Sequence, residues 1–318
     1  MQANIQSNAA LQNVLASLEI SRQKIATTQK KGYLFVGIGA FIAIGGSILG
    51  LVILSILTGL VPLVYGIVLL IKINGELQAY KMAFKRDVIG TALKSIDESL
   101  TIEPSLGIYE QEFVESQLFS TKPDRYKTED LVRGNAGKTA FYFAEVHAEY
   151  RTEEKTDNGK RIEWHEIFKG IIFVADFNKN FGATTIVRPK GMTGAIGAWL
   201  SKNIFSFGND QIITLENPDF QKTFITYGTD QVESRYILTP ALMERILQLN
   251  AQSGGTISVT FTKSRMYIAF FLSRNHFEAP IFKTLLDPKA LETDIATINF
   301  MYGIVRELDL NTRIWGKT

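Results

Sequence analysis

Forty consecutive residues, from Gly32 to Ile71, carry no charged side chain and consist largely of Leu, Ile, Val and Gly. A helix rises ~1.5 Å per residue and the hydrocarbon core of a bilayer is ~30 Å thick, so one crossing needs about 20 residues. Forty residues are therefore too many for one helix at ordinary tilt and about right for two. The stretch predicts an N-terminal transmembrane helical hairpin.

We place the break between the two spans at residues 55–62, because Thr58 can cap a helix and a glycine and a proline follow it. The spans are then about 33–54 and 57–73, and the second is so short that full crossing is left open. A break at residues 45–47 remains an alternative, which would give a re-entrant half-helix and one longer span.

Basic residues flank the apolar stretch on both sides: Arg22, Lys24, Lys30 and Lys31 before it, and Lys72, Lys81, Lys85 and Arg86 after it. The predicted turn between the spans has neither Lys nor Arg. Because basic residues concentrate on the cytoplasmic side, a multi-pass protein with both termini in the cytoplasm is expected. The polar leader of about 31 residues is too long for a cleavable signal peptide.

Composition excludes several classes of function. The chain has no cysteine, which excludes disulfides, thiol catalysis and cysteine-based metal sites. Its formal net charge of +2 gives no electrostatic reason to expect a nucleic-acid partner. The apolar stretch makes the lipid bilayer the expected partner. A second membrane protein as a partner and the oligomeric state are left open.

Four segments follow from these patterns: an amphipathic helix over 1–31, the hairpin over 32–73, a juxtamembrane helix over 74–103 and a cytoplasmic α+β domain over 104–318. Apolar residues repeat at helical spacing in both flanking helices. The first stripe comprises Leu11, Val14, Leu15, Leu18 and Ile25, and the second comprises Leu77, Tyr80, Phe84, Val88, Ala92 and Ile96. We expect the stripes to cover each other; the alternative is that they recruit other chains.

The first span is rich in glycine, and Gly46 and Gly50 have the spacing that lets helix backbones approach closely in lipid. Two interpretations remain: the glycines pack the hairpin on itself, or they form an oligomerisation face. We favour packing within the hairpin.

Past Pro104 the pattern becomes β-rich. Residues 138–151 and 161–175 are rich in aromatic and β-branched side chains, and the Asn158-Gly159 pair between them is a strong hairpin signal. Residues 183–188 follow a second turn. Three consecutive antiparallel strands are therefore expected.

Further strands are expected at 212–215, 224–227, 233–237, 257–261 and 266–272. One helix is expected over 240–249 with Thr239 as its cap, and another over 288–308 with Asp287 as its cap. Strands in runs with a few helices favour an α+β fold, as one domain or as two lobes joined near 191–209.

Three runs of sequence, within residues 118–134, 168–179 and 215–240, resemble a bacterial family known as domain of unknown function 3137. The resemblance extends over most of residues 85–310. It implies a bacterial protein anchored in the inner (plasma) membrane by a hydrophobic hairpin. It brings no established reaction and no catalytic residue, so no residue role can be transferred from it.

Signals for chemistry are sparse. Glu163 and His165 alternate on one predicted strand and so share a face, and His147 or Glu145 on the neighbouring strand could complete an acid–base or metal site. Polar faces of antiparallel sheets look the same without a function. Residues 134–139 end like a phosphate-binding loop but lack its first glycine and precede a strand, which favours a plain turn. No cofactor and no metal site are predicted.

Residues 191–209 combine four glycines with Trp199 and several Phe and Ile residues. A loop packed on the sheet, a lid over a pocket, and an amphipathic segment on the membrane surface are the three interpretations of this segment.

Three functions are consistent with the sequence. The first is a membrane-anchored cytoplasmic binding or scaffold protein with no identifiable catalytic activity. The second is a lipid-handling domain with an apolar cavity next to the bilayer. The third is a membrane-bound enzyme with its site on the strand of Glu163 and His165.

Overall fold

A computed structural model describes residues 9–48, 50, 52–156, 159–177, 180–190, 211–254, 256–272 and 274–310. The described residues fall into two compact units. The first holds the residues up to Ser95 together with Phe277–Ala296, and the second holds Ile96–His276 with the residues from Thr297 onward. The architecture is α+β, as predicted: long apolar helices at the N-terminus, then an antiparallel sheet with a few helices.

The first unit is built on two long helices, α1 (Ala9–Ile48) and α2 (Val52–Ala83). The turn between them contains Gly50, whose φ of +78° lies in the left-handed region that glycine adopts without steric cost. Both helices, Leu11–Ile48 and Val52–Ile96, are long and apolar enough to cross a membrane.

The predicted break at residues 55–62 is wrong. Thr58 does not cap a helix; its hydroxyl donates to the carbonyl oxygen of Leu54 at 2.8 Å, one turn back inside α2. Pro62 also lies within α2. A threonine bonded to its own helix and a proline are both compatible with a helix in lipid. The real turn is close to the alternative at 45–47, but it joins two long helices and produces no half-helix. The charge-free part of α2, residues 52–71, is about 30 Å long, so by length alone it matches the thickness of a hydrocarbon core.

Small residues line the contact between α1 and α2. A Cβ atom added to Gly32, Gly39 or Gly46 would lie within 2.2–2.8 Å of atoms of α2. On α2, a Cβ atom on Gly59 or Gly66 would lie 2.6–2.7 Å from a carbonyl oxygen of α1. The glycines therefore pack the hairpin on itself, as predicted, although at a seven-residue spacing and not through Gly50.

The flanking parts of the helices continue the same pair. In α1 the side chains of Leu11, Leu15 and Ile25 are buried. After α2 a π-helical turn, Phe84–Ile89, leads into α3 (Gly90–Ile96), and Phe84 and Val88 are fully buried. These side chains are buried within the first unit, and the expectation that the two stripes cover each other stays a prediction.

A return segment, Phe277–Ala296, belongs to the same unit as these helices. The guanidinium of Arg22 donates to the carbonyl oxygen of Ile281 at 2.6 Å, and the backbone N–H of Leu285 donates to Glu19 at 2.9 Å. Arg22 and Glu19 also form a buried ion pair at 2.8 Å. The hydroxyl of Tyr80 donates to the carbonyl oxygen of Pro280 at 2.7 Å. The segment is thus held to both helices through its backbone.

The second unit is built on a sheet of nine strands in the order β1-β2-β3-β4-β9-β8-β5-β7-β6, with all neighbours antiparallel. The strands are β1 (Thr101–Glu103), β2 (Arg125–Ala136), β3 (Thr139–Thr156), β4 (Gly159–Asp176), β5 (Thr185–Pro189), β6 (Gln211–Ile212), β7 (Phe224–Gly228), β8 (Ile257–Thr262) and β9 (Arg265–Phe271). Its helices are α4 (Glu110–Glu115), α5 (Pro218–Thr223), α6 (Gln231–Ile237) and α7 (Pro240–Gln252). A further helix, α8 (Glu292–Glu307), follows a 3₁₀ turn at Pro288–Leu291 in the first unit and continues into the second unit from Thr297 onward.

Several predicted elements are confirmed. β3 and β4 form the expected hairpin, and α7 begins at Pro240 after Thr239, whose hydroxyl accepts from the N–H of Leu242. Asp287 caps the turn that leads into α8.

Two expectations about the sheet are wrong. β5 does not pair with β4; it lies between β8 and β7, and β9 is the neighbour of β4. Pairing between distant strands cannot be read from chain order alone. Residues 233–237 form helix α6, not a strand, because the side chain of Asp230 caps the helix by accepting from the N–H of Glu233 at 2.8 Å.

One face of β2, β3, β4 and β9 is covered by the segment that contains α4. Phe113 and Phe119 stack at 5.3 Å between ring centroids and pack over Phe168 of β4. The cluster also includes Ile108, Leu118, Leu131, Ala144, Val146, Ala148, Ile167, Ile172, Val174, Tyr267 and Ala269. Burial of these side chains places α4 beside the first residues of β9.

Candidate functional site

A polar pocket of about 470 Å³ lies where α4 meets the turn between β8 and β9. Its lining comes from two short pieces of chain: Tyr109, Gln111, Glu112 and Glu115 on one side, and Lys263, Ser264, Arg265 and Tyr267 on the other. The volume falls in the range of small-molecule sites. The lining is rich in hydrogen-bonding groups and charges.

Glu112 is the centre of the hydrogen bonds in this pocket. Its Oε1 accepts from Arg265 Nη1 at 2.7 Å, from the hydroxyl of Tyr267 at 3.3 Å and from the hydroxyl of Tyr142. Arg265 Nη1 also donates to the hydroxyl oxygen of Tyr142 at 2.9 Å. Charge-assisted hydrogen bonds are stronger than neutral ones, so the bonds to the Glu112 carboxylate hold these four side chains in fixed positions relative to each other.

The sheet itself sets the spacing of the two tyrosines. Tyr142 of β3 and Tyr267 of β9 both pair with Val174 of β4, so they lie at the same level on one face, with Val174 between them. Burial raises the pKa of Tyr142, and the hydrogen bond to the Glu112 carboxylate raises it further. Burial and the charge of Glu112 likewise raise the pKa of Tyr267. Both tyrosines therefore stay neutral and serve as hydroxyl donors at any physiological pH.

The charges that line the pocket are paired with each other. Glu112 pairs with Arg265, and Glu115 pairs with Lys263 at 2.7 Å. The Lys263 ammonium lowers the pKa of Glu115. An ionic ligand would have to compete with an ion pair already present in the lining, whereas a neutral polar ligand would not.

The residues predicted from the sequence lie elsewhere, on the β3–β4 hairpin, and each contacts a different partner. Nε2 of His165 lies 2.8 Å from the hydroxyl of Thr152. Glu163 pairs with Arg161 at 2.8 Å, and His147 pairs with Glu166 at 3.5 Å. The structure thus places Glu163 and His165 on one strand, as expected, with His147 engaged further along the hairpin. Their catalytic role stays a prediction.

Three carboxylates at the irregular part of β2 could hold a hard cation. An oxygen from each of Glu129, Asp130 and Glu145 lies within 4.8 Å of the others, and Asp130 and Glu145 are buried. Asp130 has a φ of +59° at the point where the pairing of β2 with β3 shifts register. The backbone N–H of His276 donates to Glu145. Oxygen donors of this kind suit Mg²⁺ or Ca²⁺.

Residues 134–139 form no phosphate-binding loop. They end β2, make a tight turn at Gly137, where φ is +64°, and begin β3. Residues 191–209 lie outside the described part of the chain, so the three interpretations of that segment stay predictions.

The sequence alone did not indicate the Glu112 pocket. Arg265 and Tyr267 alternate on a strand that was predicted, and Lys263-Ser264 occupy the turn before it. The pocket depends on contacts between residues far apart in the chain. The position of α4 brings Glu112 to Arg265 and Tyr267, and the pairing of β4 with β9 brings Tyr142 to the same place. A polar, aromatic strand directly after a tight turn was the one local signal available.

Comparison with known proteins supports the predicted family. Residues 166–310 match the family described as "Protein of unknown function (DUF3137)". Comparison with curated proteins gives no match. A solved structure described as "crystal structure of the mycobacterial trehalose monomycolate transport factor A, TtfA" is similar, with a TM-score of 0.38 and 9% identity over 70% of this chain and 94% of that chain. At this TM-score the likeness carries no argument about fold or function.

Proposed function

We propose that this chain, whose residues 166–310 match the DUF3137 family, is a membrane-anchored binding or scaffold protein of the bacterial inner membrane. In this proposal the hairpin of α1 and α2 crosses the membrane, and both termini and the sheet unit lie in the cytoplasm. The Glu112 pocket is the contact for a small polar ligand.

The observation that carries the membrane anchor is the outer surface of the hairpin. Large apolar side chains point away from the contact between the helices, and Phe41, Ile48 and Ile53 are 78–80% exposed. The region has no charged residue between Gly32 and Ile71. An apolar surface of this extent is unfavourable in water and favourable in a hydrocarbon.

The small-residue contact between α1 and α2 supports a pair of helices that is complete in lipid. The hydrophobic effect does not drive helices together inside a bilayer, and close backbone approach at glycine replaces it. Phe35 and Tyr65 add an edge-to-face contact at 4.9 Å between the two helices. The hairpin therefore needs no second protein to stay closed.

The pocket supports binding of a neutral, hydrogen-bonding ligand. Its lining offers hydroxyl, amide and carboxylate groups, and its charges are already paired. An acyl chain, the ligand of the lipid-handling alternative, would find few apolar partners in this lining. Lipid handling would have to involve another surface.

The test uses the purified full chain in detergent and three sets of defined compounds: neutral polyols and amides, dicarboxylates, and diamines. The proposal predicts that the neutral set raises the Tm more than either charged set. The effect should disappear in Glu112→Ala and persist in Glu110→Ala, a matched change on the same helix at an exposed position. Stabilisation by charged compounds only, or by none of the three sets, would contradict the pocket assignment.

A further inference from the structure

The hairpin of β3 and β4 extends beyond the sheet. β2 pairs with β3 only as far as Glu149, and β9 pairs with β4 only from Gly170 onward. The outer part, 150–156 with 159–165, is paired only with itself. We call this part the ribbon. In the described part of the chain, no strand lies against the outer edge of β4 between 159 and 168.

The two edges of the ribbon differ. At the base of the β3 edge, Asp124 accepts the backbone N–H of Arg151 at 2.9 Å, and the N–H of Asp124 donates to the carbonyl oxygen of Glu149. The β4 edge carries Ile162 and Trp164, which are 50% and 41% exposed on the same face. A two-stranded ribbon is only marginally stable in water, and an open edge with apolar residues readily accepts another strand.

The sequence of this edge is complementary to itself. In an antiparallel pair of two copies centred on Glu163, Ile162 of each copy lies opposite Trp164 of the other, and Lys160 lies opposite Glu166. These four positions alternate along β4 and so share a face. The result is an apolar centre made of two Ile–Trp pairs, with Lys160 opposite Glu166 at both ends. Lys160 and Glu166 also pair within their own chain, with Glu153 at 3.3 Å and with His147 at 3.5 Å, so the apolar centre and not the end charges carries the pairing.

The other face of the pair is also compatible with this register. Glu163 would meet Glu163 of the second copy at the two-fold axis, and Arg161 of each copy already lies 2.8 Å from its own Glu163. Each like charge at the centre therefore brings its own counter-charge. The ladder is regular here because the register shift between β3 and β4 falls beyond Glu166, at Ala148/Glu149 of β3.

We propose that residues 160–166 of β4 are a self-association edge, which pairs antiparallel with the same residues of a second copy of this chain. The interface is isologous, so it closes at a dimer and does not propagate. The interface is short. Association is favoured where two copies share one membrane, because confinement raises their effective concentration. The proposal goes beyond the proposed function and does not depend on the Glu112 pocket.

The test is disulfide formation between single cysteines in the full chain, which has no native cysteine. Cα atoms of directly opposite residues lie about 4.5–5.5 Å apart, within the range of about 4.4–6.8 Å that a disulfide spans. Glu163→Cys is at the two-fold axis and should give a cross-linked dimer in membranes under mild oxidation. Arg161→Cys alone and His165→Cys alone should not, because each meets its own copy at an offset of four residues, ~13 Å.

Membranes from cells that co-express the Arg161→Cys chain and the His165→Cys chain should show the cross-link between the two chains. These two positions lie opposite each other in the proposed register. Glu154→Cys on β3, in the same ribbon but away from the edge, is the control for random collision. Equal cross-linking at all positions, or none at Glu163→Cys while the variant keeps the wild-type Tm, would overturn the proposal.

Discussion

A Cβ atom added to Gly39 would lie 2.6 Å from the carbonyl oxygen of Gly59, so the backbones of the two long apolar helices α1 and α2 touch at this level. Real Cβ atoms do not approach a carbonyl oxygen so closely. A side chain at either position must therefore push the helices apart. By contrast, a Cβ atom at Gly37, two residues earlier on α1, would meet nothing within 4 Å.

Gly39→Val should therefore weaken the hairpin, and Gly37→Val should not. Overpacking of this kind typically costs about 1–3 kcal/mol. The measurement is loss of helical circular dichroism as SDS is titrated into the protein in mild detergent. Both variants carry the same β-branched residue in the same helix, so propensity cancels. Equal midpoints for the two variants would mean that the glycine contact does not hold the hairpin together.

The Glu19–Arg22 pair should control the return segment. Arg22→Leu leaves the buried Glu19 without its counter-charge and removes the bond to the carbonyl oxygen of Ile281. Breaking a buried pair in this way costs about 3–5 kcal/mol. We expect the amide of Leu285, which donates to Glu19, to exchange its hydrogen much faster.

The matched control is Glu76→Gln, which breaks the exposed ion pair of Glu76 with Lys24. Exposed pairs contribute about 0–1 kcal/mol, so the exchange of Leu285 should stay close to wild type. Unchanged exchange in Arg22→Leu would show that the return segment is held by its apolar contacts alone.

Asp97 should make the sheet unit less stable in acid. The hydroxyl of Ser99 and then the hydroxyl of Tyr302, at 2.7 Å, hold the pKa of Asp97 below its ordinary value. A lowered folded-state pKa means that the stabilisation is full above the unfolded value, about 3.9, and is lost as the pH falls through the folded value. Wild type should therefore exceed Asp97→Asn in stability at pH 7 and match it in strong acid. A difference between them that does not change with pH would contradict the assignment.

His165→Ala should leave the protein folded. The variant loses a hydrogen bond to Thr152 and a stacked contact with Tyr150 at 4.9 Å between ring centroids, which together contribute about 1–3 kcal/mol. Chemical unfolding would measure this difference. Stoichiometric zinc in the purified wild type that disappears in His165→Ala would instead assign a metal site to this strand.

Local patterns predicted the hairpin, the β3–β4 turn and the helix that begins at Pro240, because each depends on neighbouring residues. The predicted break near Thr58 is wrong because a possible cap, a glycine and a proline are local signals, and none of them interrupts α2, where the hydroxyl of Thr58 bonds to its own helix. Residues 233–237 form a helix because Asp230 caps it, a local signal that the strand prediction did not use. The Glu112 pocket depends on strand pairing across more than a hundred residues, which no local pattern carries.

The most direct test of the membrane anchor is labelling of single cysteines by an impermeant maleimide in intact cells. Val52 is exposed at the start of α2, beside the turn, and Glu154 lies on the ribbon of the sheet unit. The native chain has no cysteine, so each label reports one position. We expect Val52→Cys to be labelled in intact cells and Glu154→Cys to be labelled only after the cells are permeabilised. Labelling of Glu154→Cys in intact cells, or protection of Val52→Cys there, would contradict the hairpin with both termini in the cytoplasm.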